Sequence, residues 1–275
     1  MKKTFITLLA LAGVAGAASV DCTNYAQLGL NENLVGAYNF TTSSTTLGNL
    51  GVSGFTVSDG VAVLDGTTKP SGTNLGIGSA TDKSWTLTFD LVTLANNNDW
   101  DNVLVLYSAD GGGSSVGDQG YKYSMTLGLD NQNEFRVSSS NGGEATFNGG
   151  AAVTLYSGVY DSDKSGENVN YASGQTITLV QNGTAKTLTL YVNGEQKSQV
   201  TDWQAASIWG VRFGSGFNTG WGDRDPLNAG SIDNVAFWST ALSSAQVKSL
   251  IVPEPATATL SLLALAGLCA RRRRA

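Results

Sequence analysis

Between residues 34 and 239 the chain is written in short apolar bursts of period two, with no long helical pattern between them. Alternation puts successive side chains on opposite faces of an extended strand, and the Gly, Asn, Asp and Ser residues between the bursts supply turns. The runs fall at 34–40, 60–66, 84–94, 102–108, 121–129, 134–138, 151–157, 175–181, 186–192, 207–214 and 230–239. Many short strands without intervening helices can bury their apolar faces only by stacking sheets or closing a barrel. The chain is therefore all-β.

Two local elements can be read in detail. In the run from Lys186 to Gln196, Leu188, Leu190 and Val192 share one face, and Thr187, Thr189 and Tyr191 share the other. Asn193-Gly194 then supplies the two positive-φ residues of a tight type I′ turn, and Asn182-Gly183 marks the turn before it. Near the end, Ser243 with Gln246 three residues on forms a capping box. Leu242 and Val247 sit at hydrophobic-staple positions, so one short helix closes the domain before Pro253. The Ser/Thr tract 41–46 and the Gly-rich stretches 141–150 and 214–230 read as loops.

The two ends carry a different message. Lys2 and Lys3 precede an apolar run from Thr4 to Val14, and small residues follow at Ala15, Gly16 and Ala17. This is the layout of a secretory signal peptide, assigned to 1–18. At the other end Pro253, Glu254 and Pro255 break any helix. An apolar run from Ala256 to Ala270 follows, then Arg271, Arg272, Arg273 and Arg274. The run is about 15 residues long, short of the ~20 that span a bilayer comfortably, and the arginines would hold its end in the cytoplasm. This tail, 252–275, resembles the PEP-CTERM sorting signal of Gram-negative bacteria. The resemblance implies an inner-membrane intermediate with a C-terminal transmembrane helix, recognition by an exosortase-type membrane protease, and delivery to the cell surface or exopolysaccharide matrix. With no spacer between the closing helix and Pro253, an uncleaved protein would press its domain against the membrane, which favours removal of the tail.

Setting aside the two leader lysines, the four tail arginines and Glu254 leaves ten basic and 21 acidic residues in 19–251. That segment carries about −11, against −6 for the whole chain. A nucleic-acid partner, which needs a basic stripe, does not fit. The chain has no histidine, which excludes Ser-His-Asp and Cys-His catalysis and the common histidine zinc sites. Of its two cysteines, Cys269 lies in the tail, so the domain holds no internal disulfide.

Three segments point to a known family. TLTLYVNGEQ (187–196) resembles the strand–turn–strand hairpin of laminin G-like, concanavalin A-like domains. AGSIDNVAFWSTALSSAQVKSL (229–250) resembles their C-terminal signature, and SWTLTFDL (84–91) an early central strand. The resemblance implies a two-sheet antiparallel jelly-roll sandwich over 19–251, of about a dozen strands with one short C-terminal helix. It implies several functions: sugar binding, protein binding, structural roles and glucan hydrolysis. The hydrolases carry Glu-x-Asp-x-x-Glu on one strand. Here the five glutamates of the domain, Glu32, Glu134, Glu144, Glu167 and Glu195, are scattered. A carboxylate pair could still assemble from distant strands.

Candidate sites are few. Asp161, Asp163, Ser165 and Glu167 open like an EF-hand calcium loop, but position twelve is Ala172, so the alternative is a solvated acidic turn. Calcium is the only cofactor suggested. Asp99, Trp100 and Asp101 could stack and hydrogen-bond a sugar, or Trp100 could cap the sandwich. Trp221, Asp223, Arg224 and Asp225 form a second such group, or an Arg–Asp pair pinning a loop. Trp85, Trp209 and Trp238 belong to the core, and Asp233 fixes a turn or strand edge. The expectation is an exported, non-catalytic protein binding a glycan or matrix polymer. A structural or adhesive matrix component is the alternative, and a glycan-cleaving hydrolase the second.

Overall fold

The computed structural model describes residues 19–40, 45–48, 51–65, 70–72, 75–77, 82–94, 102–107, 124–129, 135–139, 153–156, 174–203, 205, 207–208, 210–214 and 230–251. These form two antiparallel sheets and one short helix. The strands are β1 (Leu34–Asn39), β2 (Thr45–Gly48), β3 (Thr56–Ser58), β4 (Val61–Leu64), β5 (Ser71–Gly72), β6 (Trp85–Leu94), β7 (Asn102–Tyr107) and β8 (Ser124–Leu129). They continue with β9 (Phe135–Ser139), β10 (Val153–Tyr156), β11 (Gln175–Asn182), β12 (Thr187–Val192), β13 (Glu195–Val200), β14 (Gly210–Phe213) and β15 (Gly230–Trp238). The first sheet runs β13-β12-β11-β6-β15-β1-β2, with β4 on β15 and β3 on β4; the second runs β10-β9-β8-β7-β14-β5.

The alternation dictates the first core. Trp85, Leu87, Phe89 and Leu91 of β6 point between the sheets, where they meet Leu104 and Leu106 of β7 and Val211 and Phe213 of β14. Leu188, Leu190 and Val192 join them, as their spacing requires. The turn after β12 is the expected one: Val192 pairs with Glu195, and Asn193 and Gly194 have φ of 51° and 75°.

The other face of the first sheet is buried too. Thr86, Thr88, Thr178 and Thr189 are almost fully covered, and the Thr88 and Thr178 hydroxyls hydrogen-bond each other at 2.8 Å. The cover is a second core in which Cys22, Tyr25 and Leu30 from the start of the chain meet Trp238, Leu242, Val247 and Leu250 from its end. Helix α1 (Ser244–Ser249) has the full capping box of Ser243 and Gln246. Leu242 N–H donates to the Thr86 hydroxyl, which in turn donates to the Thr240 carbonyl. The domain's two ends meet where Ser19 bridges Ile251, and Val20 N–H donates to the Leu250 carbonyl at 2.6 Å.

The tract 41–46 is not a loop throughout: Thr45 begins β2, an edge strand on β1. β-branched threonines favour a pleated edge as much as a loop. Trp85 and Trp238 are core residues, as expected; Trp209 lies outside the described residues.

Candidate functional site

The sites read from sequence lie outside the described residues. This holds for Asp99, Trp100 and Asp101, for Asp161, Asp163, Ser165 and Glu167, for Trp221, Asp223, Arg224 and Asp225, and for the sorting residues 253–255 and 271–274. Their flanking strand ends are described, and they converge. Leu94, after which 95–101 begins, pairs with Gly230, before which 215–229 ends. On the second sheet, Gly214 N–H donates to the Val103 carbonyl at 2.8 Å, joining the other two ends of the same segments. The segment 157–173 starts at Tyr156, paired with Phe135, which also pairs with Leu129. It returns at Gly174, whose N–H donates to the Leu91 carbonyl at 2.9 Å. All three segments are thus attached at one end of the two sheets.

The opposite end has a polar cleft of about 370 Å³ lined by Asp82, Lys83, Gly183, Lys186, Asp202, Trp203 and Ala205. Its tryptophan is not a sugar platform. Trp203 is 1% exposed, and its indole N–H donates to Gln181 Oε1 at 2.9 Å. Asp82 is equally committed, because the Ser84 hydroxyl and N–H both donate to it and hold its carboxyl below the usual range. A carboxylate so held is a poor general acid.

A third polar group lies behind the first sheet. Asp90 of β6 and Asp233 of β15 stand directly opposite each other across the strand pair, and Asp21 is close by. Asp90 accepts from the Ser19 hydroxyl at 2.6 Å, the Thr176 hydroxyl at 2.6 Å and Asn234 Nδ2 at 3.0 Å. Asn39 Nδ2 donates to Asp21. Asp233 accepts from Phe40 N–H at 3.2 Å and Asn234 N–H at 2.7 Å, next to the bulge in β15. It sits at a bulge inside a central strand, where it holds the backbone of that bulge and of the residue just past β1. Burial raises its carboxyl above the ordinary range, and Asp90 and Asp21 push the same way against those two bonds. Sequence reading passed over Asp90, although it is the single charge in β6. That was the available signal.

The same surroundings silence the one thiol in the domain. Cys22 is free and buried, and burial, then Asp21 and Asp233, push it up to about 12. From a thiol's ordinary value near 9, this lowers the thiolate fraction at pH 8 by about a thousandfold. Iodoacetamide followed by peptide mapping should therefore label Cys22 rapidly in denaturant and hardly at all in native protein. Equal labelling would refute the burial.

No family model matches the chain, and no curated protein does. Solved structures do. The binding domain of botulinum neurotoxin serotype C1 superposes with a TM-score of 0.54 at 10% identity, over 79% of this chain and 51% of that one. The serotype D/C VPI 5993 binding domain gives 0.52 at 11%, with the same coverage. The fold is a jelly roll. The chain spans about half the length of these toxin domains. The CBM40 of the Ruminococcus gnavus IT-sialidase, bound to α2,6 sialyllactose, matches at 0.43 and 14%, over 62% of this chain and 82% of its own. Among the described residues, no group of three His, Cys, Asp or Glu side chains could hold a metal ion. Nor is any described helix long and apolar enough to cross a membrane, and the run 256–270 lies outside them.

Proposed function

We propose that this jelly roll is an exported, non-catalytic binding module whose ligand is a glycan. The ligand would sit at the end of the sandwich where 95–101 and 215–229 are attached. One observation carries this reading: Leu94 beside Gly230 and Val103 beside Gly214 tether the Trp100 and Trp221 segments at both of their ends to the same edge. Tryptophan faces can stack on sugar rings, and the Asp and Arg residues next to them in sequence can supply directional bonds to hydroxyls. The middle of the first sheet's back is already covered by residues from 22–30 and 238–250. Calcium, if bound, would be held by Asp161, Asp163, Ser165 and Glu167, whose segment returns to that edge at Gly174.

A glycan array run with and without chelator tests the reading. Trp100→Ala and Trp221→Ala should each weaken binding about tenfold or more, the ~1–3 kcal/mol scale of a lost stacking contact, without change in folding. Absence of any glycan ligand, or variants that bind like the parent, would sink it. The export half rests on the two ends of the chain. Mass spectrometry of the protein recovered from its natural envelope should show the C-terminus cut near Pro253, consistent with an exosortase-type partner; an intact Arg271–Arg274 tail would refute that step.

A further inference from the structure

Asp90 and Asp233 face each other across the β6–β15 pair. Like charges directly opposite on neighbouring strands repel, yet no lysine or arginine among the described residues is ion-paired with Asp21, Asp90 or Asp233. No metal-holding group forms among the described residues either. Two buried oxygens nearby are also short of partners. Asn234, 9% exposed, bonds Asp90 through Nδ2 and leaves Oδ1 without a hydrogen bond. Tyr25, fully buried, has an unpartnered hydroxyl close enough for all three carboxylates to oppose its ionisation. The carboxylates are hydrogen-bonded, but no described lysine or arginine balances their charge, and two buried oxygens beside them have no hydrogen-bond partner.

Ser19 can bring both. Its hydroxyl already touches Asp90, and its backbone nitrogen is three bonds from that oxygen. The strand bridge to Leu250 is donated by Val20, so it does not use this nitrogen. In the export reading Ser19 is the first residue left when the 1–18 leader is removed. We propose that Asp21, Asp90 and Asp233, with Asn234 and Tyr25, form a site for the α-ammonium group that leader removal creates at Ser19. The new terminus supplies a positive charge, which no described lysine or arginine brings to these carboxylates, and further donors beside two unpartnered oxygens. Removing the leader would then do more than release the chain: it would pin Ser19, and through the Ser19–Ile251 bridge the start of the tail, to the back of the first sheet. The titratable side chains that interact within the group are Asp21, Cys22 and Tyr25 from the opening segment, Asp90 from β6 and Asp233 from β15.

This rests on the export reading, and the test separates the two. The full chain is exported, and its N-terminus is read by mass spectrometry. The amine is then reductively methylated with carbon-13 formaldehyde and cyanoborohydride and titrated by NMR. The expected N-terminus is Ser19, and its amine should titrate at least about one unit above the ordinary 7.7–8.0, a tenfold gain in proton affinity. The shift should disappear in Asp90→Asn and shrink in Asp21→Asn, which spares the hydrogen bonds of Asp90. Because the folded amine holds its proton more tightly, its stabilising effect is complete below pH ~8 and fades as pH rises through the raised value. A chain beginning elsewhere overturns the leader reading together with the site. A chain beginning at Ser19 whose amine titrates in its ordinary range overturns the site alone, whatever the variants do.

Discussion

Replacing Trp238 by alanine is expected to cost about 3–5 kcal/mol of folding stability, the range for truncating a fully buried tryptophan. Trp238 ends β15 with no exposed surface, its ring 5.3 Å from that of Tyr25. Its indole N–H donates to the Leu30 carbonyl at 2.6 Å. The residue thus joins the last strand to the opening segment, and its loss opens a cavity and orphans a buried carbonyl together. For a domain of this size the melting temperature should fall by on the order of 10 °C. Trp238→Phe, which keeps most of the volume but not the donor, should lose less. Limited proteolysis should then cut the Ala variant first within 19–33. A loss below about 1 kcal/mol would mean that the second core contributes little.

Gly183→Ala should be as damaging for a different reason. A Cβ at this position would lie 1.3 Å from the Asp82 carbonyl oxygen and 2.6 Å from its carbon. Both are backbone atoms, so no rotamer change relieves the clash. The two segments are also tied there, since Gly183 N–H donates to the Ser84 hydroxyl at 3.1 Å and Gln181 Nε2 to the Lys83 carbonyl at 2.5 Å. Parting them should cost about 3 kcal/mol, the upper range for overpacking. Gly194→Ala is the informative comparison. It strains a positive φ and meets the Ile251 side chain at 2.8 Å, a softer contact, and should cost about 1–2 kcal/mol. Urea denaturation of the three proteins side by side measures this ordering. Equal stability of Gly183→Ala and parent would refute the close approach.

Much of the fold was legible because its signals are local. Asn193-Gly194 specifies its turn through the φ that each residue tolerates, and Ser243 with Gln246 specifies a helix start within four residues. Trp85 and Trp238 sit at alternating positions of long apolar runs, so their burial follows from period two. The threonines were harder. Thr86, Thr88 and Thr178 alternate with apolar residues as a solvated face would, yet they lie beneath the chain's own ends. Nothing within a few residues of them says so. The candidate sites were read from Trp and Asp residues in polar segments, a pattern of composition, which names residues without saying what they stand beside.

By itself the sequence determined the all-β class, the β12–β13 turn, the capped closing helix and the aromatic core, because each depends on neighbours one to four residues apart. Tertiary structure alone decided three further matters. It set Asp90 opposite Asp233, brought Ser19 to both Asp90 and Ile251, and gathered the strand ends around 95–101, 157–173 and 215–229 on one edge. These pairings join residues from 21 to more than 200 positions apart, and strand order governs them. Side-chain alternation carries no record of which strand lies next to which.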